Sequence, residues 1–401
     1  MSFLNQITKK ALKIVFERYF CPETELFYEF TIDEQNNAWF HLPTPEDIEK
    51  QIPNPCGWGT GMEDSTMNGG TAIDALITLY EMTKDENVKK CINAIFRGLM
   101  RCSENSKDEG FISRSISPFD GKSHYIESSR DQYTHWIYGV LRFYDSELCD
   151  EVQKQRIRVA INGIARKCER DVIGKNEYHM LREDGSVGMV NKMWEDVGTH
   201  EWLRLPMFYL AAFYVSGDEH WKCMYLKYRD EALEKSMSHN PEKMRCYGSL
   251  QMQCSLRVIY DYDKEKCVSE KVMDLMQRNA LYGKEKALKN SREYCREEHQ
   301  KDINFRFCKW DNVEPLKMGI FKGYNNDNPA QSERKDNPAF YPVREVAEGA
   351  IMALMCPGFE ITDDLRDAVN NMAENIDFEK HSSIYAPLLL SCADIYLQKY
   401  E

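Results

Sequence analysis

The chain has 401 residues, 42% of them hydrophobic and 12% aromatic, enough for one large domain or two ordinary ones with a substantial core. Its formal charge of −13 argues against nucleic acid as a partner, because phosphate contacts need clustered Lys and Arg, and it disfavours an anionic membrane surface. The fourteen cysteines stand singly from Cys21 to Cys392 without any C-x-x-C, which reads as buried free thiols rather than a disulfide framework or a zinc site.

The opening "MSFLNQITKKALKIVFERYF" is an amphipathic helix, about 4–20, studded with lysines and lacking the apolar run of a signal peptide. No stretch reaches the length of a membrane span. The chain therefore reads as cytoplasmic, or periplasmic if an export signal has been removed. Helical periodicity then dominates, with helices at about 66–83, 85–103, 129–145, 148–170, 200–216 and 218–237. Five more follow at about 246–261, 265–298, 343–356, 362–377 and 383–400.

Their characters alternate. "NGGTAIDALITLYEM", "QYTHWIYGVLRFY", "EWLRLPMFYLAAFYV", "REVAEGAIMALM" and "SSIYAPLLLSCADIYL" carry few charges. Partners such as "DENVKKCINAIFRGLMRC" are charged on one face and apolar on the other. A helix apolar all round is buried, and a striped one covers it from outside. Short links follow the apolar helices, whereas long segments, about 21–65, 104–128, 171–199 and 299–342, precede most of them. If helices run alternately up and down, the long loops gather at the N-termini of the inner helices. That is an all-α (α/α)6 barrel formed by residues 1–401 as one domain, with a funnel at one end. An α-solenoid is the alternative. Asp120-Gly121 and Asp184-Gly185 sit between alternating residues and predict small β-hairpins walling the funnel. The polar stretch "KGYNNDNPAQSERKDNPAFYP" suits a rim or lid.

Two helix mouths hold the candidate chemistry. In "GMEDSTMNGG", residues 61–70, Glu63 and Asp64 precede an inner helix, followed by Asn68 and two glycines that allow close approach of backbone or ligand. The plainer reading is an Asp N-cap with glycines for tight helix packing. In "SSRDQYTHWIYG", residues 128–139, Arg130, Asp131 and Gln132 open a helix that should be buried, which is costly without partners. Gln132, His135 and Trp136 share a face and suit contact with a ligand; a self-contained Arg130–Asp131 network is the alternative.

These stretches resemble a known family. "DSTMN", Asp64 to Asn68, looks like the D-x-x-M-N motif that carries the catalytic aspartate of unsaturated glucuronyl hydrolases, and the related rhamnogalacturonyl hydrolases have a similar acidic segment. "SRDQYTHWIYG" is similar to their S-R-G-Q-x-W-x-x-Y-G helix start, with Asp131 for Gly and one extra residue before Trp136. The stretch from Trp58 to Tyr144 also resembles six-hairpin glycosidases of gut and environmental bacteria. The family's second aspartate, one hairpin upstream, has no counterpart in "ELFYEFTIDEQNNAWFHLP", so the ring is expected to start one hairpin later and to be closed by the C-terminal helices.

The resemblance implies a glycoside hydrolase acting on an oligosaccharide, uronic-acid-containing in the closest form of the likeness, with Asp64 as acid/base and Glu63 as its neighbouring alternative. Glycoside hydrolysis ordinarily needs a second carboxylate, roughly 6.5–9.5 Å away when a water is admitted between the two and closer in retaining enzymes. Asp131, Glu201 and Glu345 start other inner helices and are the candidates. Arg130, Arg204 and Arg344 suit a substrate carboxylate or pair with adjacent acids. Trp58, Trp136, Trp194, Trp202 and Trp310 suit stacking on a sugar face or the core. Two other classes stay open: an epimerase or isomerase using His135, His200 and His381, and a non-catalytic carbohydrate-binding barrel. No nucleotide loop, metal spacing or cofactor attachment site is visible, so none is expected. The oligomeric state is not legible.

Overall fold

The computed structural model describes residues 5–31, 35–294 and 340–400. Its helices are α1 (Gln6–Ile14), α2 (Pro45–Glu49), α3 (Ser65–Thr83), α4 (Glu86–Glu104), α5 (Arg130–Tyr144), α6 (Glu151–Asp171) and α7 (Arg204–Ser216). Then come α8 (Glu219–Met237), α9 (Cys246–Tyr262), α10 (Lys266–Tyr294), α11 (Phe340–Met355), α12 (Asp363–Asn375) and α13 (Tyr385–Gln398). The short α2 falls inside a segment read as loop; except at α1 and α7, the starts and the described ends of the other helices lie within three residues of those expected from periodicity. The expected extension of α10 beyond Tyr294, the polar stretch of the rim and Trp310 lie outside the described residues.

Burial separates two kinds of helix. Every residue of α3 from Ser65 to Tyr80 is buried, whereas α4 buries only a stripe that includes Val88, Ile92, Ile95, Phe96 and Leu99. Contacts then close a ring: α3 packs on α5, α5 on α7, α7 on α9, α9 on α11, α11 on α13, and α13 back on α3. A solenoid would leave its first and last hairpins apart. Outside the ring, α4, α6, α8, α10 and α12 cover the inner helices, and α1 completes the outer layer against α13. The fold is an all-α (α/α)6 barrel, and the ring draws on both ends of the chain.

The links within hairpins turn sharply and cap the next helix. Lys84 ends α3 in the left-handed region, and the Asp85 carboxylate accepts from the Asn87 N–H to start α4. Gly217 ends α7 at φ +70° and Asp218 caps α8. Asp150 and Gln153 form a reciprocal capping box at the start of α6.

The α3–α5 contact needs its glycines. A Cβ on Gly70 would stand 2.2 Å from the carbonyl oxygen of His135, and one on Gly139 would stand 2.5 Å from that of Gly70. Below this contact the Asp74 carboxylate accepts from Tyr138 of α5, Tyr396 of α13 and, at 2.6 Å, Arg142, tying three inner helices together.

Several expectations change. Gly121 and Gly185 do make tight turns at φ +69° and +81°, but neither loop forms a strand. The 178–193 loop keeps a hairpin path with one bridge, His179–Lys192. Side-chain bonds such as Arg182 to Glu127 fix it in place of a ladder. Among the described residues the one sheet pairs Phe20–Cys21 with Leu26–Phe27. The first helix also ends early: α1 gives way to a π turn over Val15–Tyr19 that leads into this hairpin.

Candidate active site

Asp64 occupies the N-cap position of α3, yet its side chain makes no capping bond. Distant groups take over that work, the Arg114 carbonyl accepting from the Thr66 N–H at 3.1 Å. Gln132, from the first turn of α5, accepts from the Met67 N–H at 3.0 Å. Glu29, fully buried in the N-terminal segment, accepts from the N–H groups of Glu63 and Asp64 at 2.7 and 2.6 Å. The Asp64 carboxylate is thereby released. It accepts from Gln132 Nε2 at 2.8 Å, Tyr385 Oη at 2.6 Å and Arg114 at 3.4 Å, and is 17% exposed. Three donors on three segments fix its orientation more tightly than a single cap would.

Round the ring, the helix mouths carry charge in pairs. Arg204 donates to Asp131 at 2.6 Å and to Gln251 at 2.5 Å. Arg130 reaches Glu201 at 2.6 Å, and Glu201 also accepts from the Gly198 N–H. Arg344 holds Oε1 of Glu348 at 2.9 and 2.7 Å and lies over the ring of Tyr385. Burial opposes charge on Asp131, but Arg204 and Arg130 outweigh it and bring its pKa down to about 2. The Asp131 side chain is 35% exposed, so this ionised group faces outward from the mouth.

Of the expected site residues, the structure brings Asp64, Gln132, Asp131, Arg204, Arg130, Glu201, Arg344 and Glu345 to the inner-helix mouths. Glu345 meets the Cys246 N–H at 3.4 Å. Glu63 is turned inward, its carboxylate accepting from the Gly59 N–H at 2.6 Å, and serves the loop before α3. Asn68 is buried one turn below Asp64. Trp58 packs with Cys56 and Met189 in a small cluster apart from the main core.

Three tryptophans take the core alternative rather than a sugar face. Trp136 is 0% exposed and its indole donates to Leu99 O on α4, so it faces the outer layer and not a ligand. Trp202 stands edge-on to Trp194, which in turn meets Tyr228 of α8, placing both in the wall. The glycine pair serves helix packing rather than a ligand, since Gly70 abuts His135 and Gly69 abuts Leu99.

Of the expected histidines, His135 and His381 are buried and His200 is nearly so. His135 meets Thr71 Oγ1 at 3.0 Å, and His381 folds onto its own loop at Ser383. Burial pushes both down to about 4, and His200 likewise. Among the described residues no group of three His, Cys, Asp or Glu side chains is placed to hold a metal ion, and no helix is long and apolar enough to cross a membrane.

No family model matches the sequence, and no curated protein is similar to it. Two solved structures are similar in shape: the GH76A α-1,6-mannanase of Salegentibacter sp. HEL1_6, and an inactive double variant of that enzyme in complex with α-1,6-mannotriose. They share 10% and 9% sequence identity with this chain, each covering 99% of both chains, at a TM-score of 0.46. At that distance the likeness assigns no chemistry. The ring closure itself carries the fold.

Several residues of the mouth escape sequence reasoning, among them Arg114, whose loop reads only as a hairpin wall. Glu29 acts across a separation of 35 residues and offers no local motif. Tyr385 comes from the last inner helix, where "SSIYAPLLL" reads as core. Glu348 stands one turn beyond Glu345 on α11, and burial raises its pKa to about 7 against the pull of Arg344. The spacing Arg344-x-x-x-Glu348 was a usable signal, since an acid four residues from an arginine on a buried helix must share its charge.

Proposed function

We propose that the chain is a glycoside hydrolase acting on an oligosaccharide, with Asp64 as its essential carboxylate. One observation carries the reading: Asp64 sits where a helix cap belongs, other residues do the capping, and its carboxylate is held toward the mouth by Gln132, Tyr385 and Arg114. A structural acid needs no such substitution. An oriented carboxylate at a partly open helix mouth suits attack on, or proton exchange with, a group at a sugar's anomeric carbon.

The charge pairing bears on substrate class. Arg130, Arg204 and Arg344 each already face a carboxylate, in Glu201, Asp131 and Glu348. A uronate entering there would have to displace an existing partner, so a neutral sugar is the better match. The test is a panel of neutral oligosaccharides, uronate-containing ones and lyase-generated unsaturated ones. Turnover confined to neutral members is expected. Turnover confined to uronates would refute the substrate assignment, and none on any member would count against the hydrolase.

A further inference from the structure

Resting on the hydrolase reading, we propose that Glu348 is the proton donor to the leaving-group oxygen, with Asp64 as the base across the mouth. Glu348 is 3% exposed, and its two oxygens differ. Oε1 is clasped by Arg344 at 2.9 Å from Nε and 2.7 Å from the terminal nitrogen. Oε2 is buried and, among the described residues, has no hydrogen-bond partner. A buried carboxyl oxygen is normally satisfied, because leaving it bare costs about 1–3 kcal/mol. One oxygen held and the other bare is the arrangement that presents an acidic O–H to an incoming acceptor.

Glu348 is linked to Asp64 through side chains already placed. The Arg344 guanidinium stacks 4.3 Å from the centre of the Tyr385 ring, and Tyr385 donates its hydroxyl to Asp64 at 2.6 Å. Glu345, one turn earlier on α11, also has a bare Oε2 but is not clasped by Arg344, and on α3, one turn below Asp64, Asn68 Nδ2 is a buried donor without a partner among the described residues. A bare donor on α3 and a bare carboxyl oxygen on α11 fit a hydroxyl-rich ligand between them. The charges acting on Glu348 are Arg344 and Glu345 of its own helix and Asp64 of the α3 mouth, and the side chains of Cys246 and Tyr247 of α9 titrate in its field.

The step balances. The bond between the anomeric carbon and the leaving oxygen breaks, its electron pair passes to that oxygen, and the oxygen takes the Glu348 proton. Water adds to the anomeric carbon and gives its own proton to the Asp64 carboxylate. Exchange with solvent then restores both acids. Burial raises Glu348 from the ordinary carboxylate range to about 7, which favours the protonated form a donor needs.

The test compares wild type with Glu348→Gln on the oligosaccharide that wild type cleaves and on the 2,4-dinitrophenyl glycoside of the same sugar, whose leaving group needs no proton. The expected result is a loss of roughly a hundredfold or more on the oligosaccharide. On the dinitrophenyl glycoside the loss should be less than about tenfold, and the alkaline limb of the kcat/KM profile near pH 7 should vanish. Equal losses on both substrates with that limb intact, or no loss at all, would overturn the proposal while leaving the hydrolase standing. Wild type inert on every substrate would sink the hydrolase reading and this proposal with it. If Glu348→Gln proves unfolded by circular dichroism, Glu348→Asp replaces it, with the same contrast between leaving groups expected.

Discussion

Adjacent glycines at the start of α3 should respond oppositely to the same substitution. A Cβ on Gly70 would stand 2.2 Å from the His135 carbonyl oxygen and 2.6 Å from its carbon, where ordinary contact begins near 3.4 Å. Backbone cannot rotate aside, so Gly70→Ala must push α3 and α5 apart by about 1 Å. Overpacking of this kind costs roughly 1–3 kcal/mol, and a backbone clash belongs at the upper end. The better helix propensity of alanine returns about 1 kcal/mol, leaving a net loss of about 2 kcal/mol. At Gly69 the nearest atom is Leu99 Cδ2 at 2.9 Å, the far end of a flexible side chain, so Gly69→Ala should be neutral or stabilising by up to about 1 kcal/mol. The α3–α5 gap is also bridged by Gln132 to Met67 and Asp64, so Gly70→Ala should lose activity even where it is fully folded. Urea unfolding of both variants followed by circular dichroism reads the difference directly. Equal midpoints for Gly69→Ala and Gly70→Ala would refute the packing argument.

Acid should destabilise the protein well before its carboxylates titrate. Burial lowers His135, His200, His239 and His381 to about 4, and the unfolded chain takes up their protons near 6.5. The sign follows: the stability tied to these neutral rings is fully present above 6.5 and is lost as pH falls toward 4, on the order of 3 kcal/mol for each fully buried ring. A urea midpoint that stays flat from pH 7 to 4.5 would contradict this. Asp74→Ala strips Arg142, Tyr138 and Tyr396 of their shared acceptor and should cost about 3–5 kcal/mol in a thermal melt; a cost under about 1 kcal/mol would show that the network is dispensable. Trp136→Phe should lower stability by about 1–3 kcal/mol through the lost bond to Leu99 O while leaving KM for the oligosaccharide unchanged. A KM raised by about tenfold with stability intact would instead make Trp136 a sugar-stacking residue.

The fold was largely legible because the barrel sorts its helices by charge. "NGGTAIDALITLYEM" and "SSIYAPLLLSCADIYL" cannot lie at a surface, and the striped partners cannot lie inside. The ring's closure was less legible, since α1 looks like any amphipathic helix and its place against α13 depends on a meeting of the two chain ends. At the site, Asp64 was visible from its position at a buried helix mouth. Its release from capping was not, because the groups that cap for it come from Gln132 and the Arg114 carbonyl. Shared-face reasoning on α5 placed Trp136 beside Gln132 and His135. In a helix buried all round, however, one edge of that face meets α3 and the other meets α4, and Trp136 lies on the second. The same ambiguity hid Glu348 behind Glu345: both keep a bare Oε2, and spacing alone does not say which of the two is clasped by Arg344.

The central claim is that the Asp64 carboxylate does chemistry and does not merely cap a helix. Its most direct test is kcat of Asp64→Asn against wild type on a cleaved oligosaccharide, with a thermal melt of both proteins. Asn keeps the shape, its Oδ1 can still accept from Gln132 and its Nδ2 can donate to the Tyr385 hydroxyl oxygen, so the variant should remain folded, with kcat down by roughly a thousandfold or more. A folded Asp64→Asn with kcat within about tenfold of wild type would make Asp64 a structural residue and contradict the account.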